Sequence, residues 1–382
     1  MTFINKISSS ILSIFINQVP RTTMIAYAAD AHKQALMNIW KTAFPADSDA
    51  FVDFYFEKKY CKENTLLLFK DDEIASCLQM LPYKMTYYKE RIDTAYISGA
   101  ATVPAYQNQG LMQNLLAHSF VEMRKRGEAV TTLIPQTHTL IDFYKKMGYA
   151  PCFDYKIIPV NFEEYLISSD KMLFKEFEPA DLHAAYSFYK RHFHRKNICI
   201  QKTPVDFSIM VQACQKFDGE VYVLKDRGEV MGLCFCFFDN GKIIVKDRIT
   251  ETKYYKEYFF SKLMQKYNNQ PIFMHAFASH SHPSELLGMA RIVNVKKILK
   301  IFAQTYPRAA FIIKINDEHV LRNNVTMVVS HGRIVETESQ TVDFEVSIGE
   351  LTQLLLGYQT KILGEKYAVF PQLHPYMSLM LE

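Results

Sequence analysis

One order of elements occurs twice in this chain, and that repetition restricts the fold more than any single motif. From residue 24 to 160 the hydrophobic pattern reads strand, two helices, three strands, helix, strand, helix, strand. From Met172 it reads strand, two helices, three strands and helix again. The order recurs without the letters, as expected of two copies of one mixed α/β unit. In the first copy Leu36, Ile39, Trp40 and Phe44 follow helical spacing, with Asp30 near the start and Pro45 as the stop. Trp40 is read first as a core residue and second as a pocket wall. In the second copy Asp239-Asn240-Gly241 is a hairpin signal.

A chain of 382 residues exceeds what one hydrophobic core organises. The boundaries expected are an extension over residues 1–23, a first domain over 24–160, a second over 172–288 and a third over 289–382. The third segment reads helix, alternating strands and helix, a small α+β unit. The overall class is therefore α+β, or mixed α/β. The segment 1–23 resembles a poor signal peptide, interrupted by Asn17, Gln18, Pro20 and Arg21, and Met24 is the expected start of the fold.

Several function classes are excluded by composition. The net charge of +4 is small and the Lys and Arg residues are scattered, so no nucleic-acid partner is expected. No apolar run is long enough to cross a membrane. The seven cysteines form no CxxC, which predicts buried free thiols in a reducing, cytoplasmic compartment. His275, His280 and His282 lie in a Ser/His/Pro-rich stretch read as a surface connection, and no metal is expected.

The chemistry concentrates in "ISGAATVPAYQNQGLMQNLLAHSF", residues 97–120. A strand ends at Thr102-Val103-Pro104. The polar turn Gln107-Asn108-Gln109-Gly110 follows, and then Met112, Leu115, Leu116, Ser119 and Met123 mark one face of a helix. A helix N-terminus behind a glycine turn presents free backbone amides to an anion. The turn carries no Arg or Lys, so a diphosphate there would rest on N–H groups and the helix dipole, with weaker and less salt-sensitive binding than a basic loop gives. The junction at the same place in the second copy, "DRITETKYYKEYFF", has no glycine and carries Glu251 and Glu257, which oppose an anion.

Gln107-x-x-Gly110-x-Met112 resembles the pyrophosphate loop of the GNAT N-acetyltransferase superfamily, with Met112 in place of a small residue. "DFYKKMGY", residues 142–149, is similar to a second superfamily segment and follows in the right order. Two GNAT-like units followed by an α+β unit resemble the enhanced-intracellular-survival (Eis) type of acetyltransferase, whose C-terminal domain is sterol-carrier-like; "LTQLLLGY" and the tail "FPQLHPYMSLML" look like that domain's closing pattern.

This resemblance implies acetyl-CoA as co-substrate, bound along Ala101, Thr102, Val103, Gln107, Asn108, Gln109, Gly110, Leu111 and Met112. It implies direct attack by a primary amine of an aminoglycoside, polyamine or lysine, and assembly into a homo-oligomer. An N–H around Ala101 to Val103 would receive the carbonyl oxygen. Tyr149 is assigned as the acid that protonates the leaving thiolate, Tyr144 is read as core, and the C-terminal residue Glu382 is the candidate base. Asp47, Asp49, Asp53 and Glu57 are candidates for a cation-attracting mouth. The competing expectation is a non-catalytic binding protein with a degenerate CoA loop and an apolar ligand in its third domain.

Overall fold

The computed structural model describes residues 23–160, 172–217, 219–268, 270–276, 284–378 and 380. The first copy runs β1 (Thr23–Tyr27), α1 (Lys33–Ala43), α2 (Asp49–Lys58), β2 (Thr65–Lys70), β3 (Glu73–Tyr87), β4 (Glu90–Thr102), α3 (Leu111–Lys125), β5 (Val130–Leu133), α4 (His138–Lys146) and β6 (Ala150–Pro159). The second runs β7 (Met172–Glu176), α5 (Leu182–His194), β8 (Cys199–Gln201), α6 (Pro204–Lys216), β9 (Gly219–Asp226), β10 (Glu229–Asp239), β11 (Lys242–Thr250), α7 (Lys253–Lys266) and β12 (Ile272–Ala276). Then come β13 (Glu285–Ile292), α8 (Val295–Thr305), β14 (Phe311–Asn316), β15 (Val325–Ser330), β16 (Arg333–Glu336), β17 (Phe344–Ser347), α9 (Ile348–Leu356) and the short α10 (Thr360–Leu363).

Local chemistry sets several boundaries. The Ser48 hydroxyl accepts from the Phe51 N–H at the start of α2, and Thr203 with Asp206 forms a capping box around Pro204 at the start of α6. Ser347 and Glu350 do the same for α9, which Gly357 ends in the left-handed conformation. The strand "TLLLFK" is apolar on both sides because both its faces are covered. Leu66 and Leu68 pack with Leu115, Leu116 and Phe120 of α3, whereas Leu67 packs with Trp40 and Tyr55 of α1 and α2. Each such buried side chain contributes roughly 1.5–3 kcal/mol relative to exposure.

The two copies share one continuous sheet of order β1-β2-β3-β4-β5-β13-β6-β12-β11-β10-β9-β7, with β8 paired to β3. The middle of that order is an exchange. β13, which follows the second copy in sequence, sits between β5 and β6 and completes the first sheet half. β6, which ends the first copy, pairs through Lys156–Pro159 with β12 and completes the second. The boundary expected between residues 288 and 289 therefore falls inside a strand of the first sheet half. Gly288 in β13 allows a close approach: a Cβ there would come within 2.9 Å of the Leu133 carbonyl oxygen.

The third unit is a four-stranded sheet of order β16-β15-β14-β17, with β14 and β17 parallel. Its interior is filled by the rings of Phe302, Phe311, Phe344, Tyr367 and Phe370, and the same cluster continues into Met85, Tyr87 and Ile92 of the first copy. A buried ion pair ties the two together. Arg291 of β13 donates to both carboxylate oxygens of Asp317, at 2.7 and 3.2 Å, and its guanidinium lies 4.2 Å from the Phe120 ring centre. Asn323 and the N–H groups of His319 and Val320 also donate to Asp317. Burial alone would raise the Asp317 pKa, but Arg291 and these donors hold it below the ordinary carboxylate value.

Candidate active site

β4 and β5 run parallel and pair at only three positions, Thr94↔Val130, Ala95↔Thr131 and Tyr96↔Thr132. β4 then continues to Thr102 while β5 stops at Leu133, so the two strands part. A bulge lies beside the split. The β3–β4 register shifts between Cys77↔Ala101 and Gln79↔Ser98, which leaves Gly99 and Ala100 without partners on β3. Gly99 has φ +57°, and a Cβ on it would stand 2.5 Å from the Trp40 ring. Glycine is thus required both by the backbone and by the ring above it.

A cavity of about 270 Å³ occupies the split, and Trp40, Asp47, Gly99, Ala100, Gln136 and Tyr144 contribute to its wall. Trp40 is both core and wall: it is buried, and its Nε1–H donates to Asp47 Oδ2 at 2.7 Å. Of the four acidic residues considered for a mouth, Asp47 lines the cavity. Asp49 is paired with Lys41 and Glu57 with Lys58.

The turn after β4 ends in a left-handed Gly110, φ +74°, and Asn108 is also left-handed at φ +59°. Two such residues flanking Gln109 turn successive N–H groups toward one side. The Gly110 carbonyl accepts from Asn114, so the first helical bond of α3 starts there and the N–H groups of Leu111, Met112 and Gln113 have no acceptor within the helix. The side chains of Leu111 and Met112 pack inward with the α3 cluster. Gln107 folds back to donate to the Thr102 carbonyl at 3.3 Å, and Gln109 to the Ala105 carbonyl at 3.4 Å. One cation does stand beside this turn. Lys70, at the end of β2, donates to Gln109 Oε1, with its ammonium 5.7 Å from the Tyr106 ring centre.

The structure separates the residues expected to act. Tyr149 is 1% exposed, lies 3.2 Å from Thr131 Oγ1 and packs on Phe120 and Tyr144, away from the cavity wall. Tyr144, read from sequence as core, reaches the cavity, and its hydroxyl makes no hydrogen bond among the described residues. Burial pushes the Tyr144 phenol up to about 12, which keeps it protonated at neutral pH. The backbone expected to receive the carbonyl oxygen is paired. The Val103 N–H is taken by the Ala75 carbonyl at 2.9 Å, and Ala101 and Thr102 are back in register with Cys77 and Ser76. The unpaired positions are Gly99 and Ala100. Glu382 lies outside the described residues, as do His280 and His282. His275 is on β12, stacked on Tyr155 at 4.5 Å, rather than in a surface connection. Among the described residues no cluster of His, Cys, Asp or Glu is placed to hold a metal. All seven cysteines are free, six of them buried.

At the same junction of the second copy only residues 251 and 252 separate β11 from α7. Thr252 Oγ1 caps the helix through the Tyr255 N–H, and the Glu251 N–H is bonded to the Met231 carbonyl. No glycine turn precedes that helix. Among the described residues no helix is long and apolar enough to cross a membrane.

A parallel strand pair that splays beside a bulge, with a glycine turn and helix N-terminus at its mouth, is the architecture of the GNAT fold. Residues 24–152 match the acetyltransferase (GNAT) domain family, and the chain shares its fold with solved structures along nearly its whole length. A GNAT-related N-acetyltransferase from Anabaena variabilis superposes with a TM-score of 0.76 at 16% identity, covering 93% of this chain and 99% of that one. A probable N-acyltransferase from Enterococcus faecalis gives 0.78 at 15% identity, covering 94% and 99%. Eis1 from Mycobacterium abscessus gives 0.71 at 14% identity, covering 93% and 99%. Among curated proteins none matches the chain.

Sequence reasoning missed Lys70, Gly99 and Tyr144. The first two become visible only with the β2–β3–β4 register. Tyr144 was open to discovery, because it sits one helical turn before Gly148 in the segment that carried the resemblance.

Proposed function

We propose that the protein transfers an acetyl group from acetyl-CoA to a primary amine, with the reaction at the β4/β5 split. The reading rests on the cavity between those strands, which has free backbone amides at its mouth and a protonated phenol in its wall. The turn fits a diphosphate. It has left-handed residues at Asn108 and Gly110, free first-turn N–H groups and Lys70 alongside. The amides of residues 108–113 would hold the diphosphate, and the split would hold the arm that leads to the thioester. Bound acetyl-CoA supplies an activated acetyl thioester.

The chain's own groups then have distinct tasks. The N–H groups of Gly99 and Ala100, outside the β3 ladder, receive the carbonyl oxygen. Tyr144 donates its proton to the departing sulfur. A thiol of pKa about 8.5 is a better base once deprotonated than water, so a nearby neutral phenol is a suitable partner. Asp47 at the cavity wall attracts the acceptor's ammonium. An alkylamine of pKa about 10.4 must lose a proton before it attacks, and water in the open cavity mouth takes it. The second copy, with its capped two-residue junction, holds no CoA. The third unit, which we read as sterol-carrier-like, has an interior filled by aromatic rings, and this disfavours an apolar ligand there.

The test is release of free thiol from acetyl-CoA in the presence of aminoglycosides, polyamines or lysine peptides. Turnover that depends on the amine supports the reading. Background rates with every amine, at protein concentrations where CoA binds, would refute it.

A further inference from the structure

The second copy has lost its phosphate cradle and kept its split. β11 and β12 pair at only three positions, Ile243↔Ile272 to Val245↔Met274, and β11 runs on to Thr250. Beyond the last pair lies a cavity of about 500 Å³, walled by β11, by β6 and by the tail residues Tyr376, Met377, Ser378 and Met380. The tail is fastened beside it, since Ser378 Oγ lies 2.7 Å from the Tyr189 hydroxyl of α5.

Asp247 stands in this wall at 3% exposure. Its Oδ1 accepts from the Tyr376 hydroxyl at 2.8 Å, while its Oδ2 has no hydrogen-bond partner. A buried carboxylate oxygen left unpaired is costly, and native structures seldom keep one unless a ligand or water completes it. The next residue toward the pairing, Lys246, lines the same cavity. It makes no ion pair among the described residues, and its ammonium lies 4.6 Å from the Phe237 ring centre. Lys246 is the extra residue of a bulge, where the β10–β11 register shifts between Phe235↔Asp247 and Cys236↔Val245, so alternation fails there and the two complementary charges border the same cavity.

The other polar groups of the wall are engaged. Asp154 accepts from Ser284 and Tyr358, and Arg248 donates to Thr250. His275 is uncharged at neutral pH, because burial and then Lys246 hold its pKa down to about 4.

We propose that this cavity, at the split between β11 and β12, binds a linear zwitterionic amine, its ammonium on Asp247 Oδ2 and its anionic end on the Lys246 ammonium. A simple amine would leave Lys246 without a partner, and a simple acid would meet Asp247. The site does not depend on the chemistry assigned to the first split.

Calorimetric titration of the whole chain with 4-aminobutanoate and 6-aminohexanoate, and with butylamine and butanoate as single-charge controls, tests this. At least one ω-amino acid should bind saturably and raise the melting temperature, with both controls at least tenfold weaker. Asp247→Asn keeps the shape and an acceptor for Tyr376, and should weaken binding about tenfold. Lys246→Gln, at an exposed position, should do likewise even where the first variant melts early. No saturable binding of either ω-amino acid at millimolar concentration, equal binding of the controls, or unchanged affinity in folded Lys246→Gln would overturn the proposal.

Discussion

The rings of Tyr144 and Tyr149 lie 5.7 Å apart, edge to face, yet one reaches the cavity and the other is sealed behind it. This contact gives the sharpest mutational prediction. Tyr144→Phe should lower turnover about tenfold to a hundredfold, at or below the lower end of the range for general acid catalysis, because a thiolate already leaves fairly well. CoA affinity should stay within about twofold. Tyr149→Phe should leave turnover alone and lower stability by about 1 kcal/mol through loss of its contact with Thr131. Steady-state rates and melting curves of both variants check the assignment. A rate loss confined to Tyr149→Phe would reverse it.

Gly110 is needed for its left-handed backbone rather than for space, since the nearest atom to an added Cβ is Gln113 Oε1 at 3.4 Å. Gly110→Ala carries about 1–2 kcal/mol of backbone strain. The turn relieves it by moving its amides, so CoA affinity should fall about tenfold while the fold survives. Lys70→Ala should cost less, about two- to fivefold, because Lys70 is exposed and screened, and its effect should shrink as salt rises. Fluorescence titration at low and high salt distinguishes the two.

The Arg291–Asp317 pair joins β13 to the third unit with no exposed side-chain surface on either partner. Removing one partner strands the other charge in the interior, at about 3–5 kcal/mol. Asp317→Ala should therefore unfold the junction between the first copy and the third unit, visible as a large drop in the urea midpoint. An exposed pair such as Lys296–Glu336 should give a change below about 1 kcal/mol when broken.

Much of this fold could be read from local sequence, and what could not was non-local. α1, α3 and α9 follow helical spacing with recognisable ends, and β2 and β3 meet at the acidic turn Asp71-Asp72, whereas the left-handed Tyr88 between β3 and β4 carries no turn signal in sequence. β13 escaped because "ELLGMARI" is covered on both faces and bulged at Gly288, so it shows no alternation. Its place between β5 and β6 depends on a crossing of the two copies that no local pattern encodes. The glycine turn at residues 107–110 was legible because a strand end, a glycine and a helix start adjoin in sequence. Tyr144 and Tyr149 could not be told apart in sequence because both flank the end of α4, and only burial separates them. Lys70 joins the site through a register that brings the end of β2 beside the turn after β4.

Glu128, between α3 and β5, is 5% exposed with one carboxylate oxygen unpartnered. Burial raises its pKa to about 7, against an ordinary value of 4.5. A carboxyl raised in the folded state contributes stability that is complete below about 4.5 and is lost as pH rises through about 7. Glu128→Gln should remove this loss. The melting temperature of the variant relative to the parent should climb between pH 5 and 8 and level off above. A constant difference across that range would show that Glu128 does not titrate in this way.

The central claim is that one of two related splits holds acetyl-CoA and that the turn at residues 107–112 decides which. Calorimetric titration of the protein with CoA tests it most directly. The account predicts one CoA per chain, with affinity reduced about tenfold by Gly110→Ala and unchanged by Thr252→Ala at the second junction. Two CoA per chain, affinity insensitive to Gly110, or no binding up to millimolar concentration would contradict it.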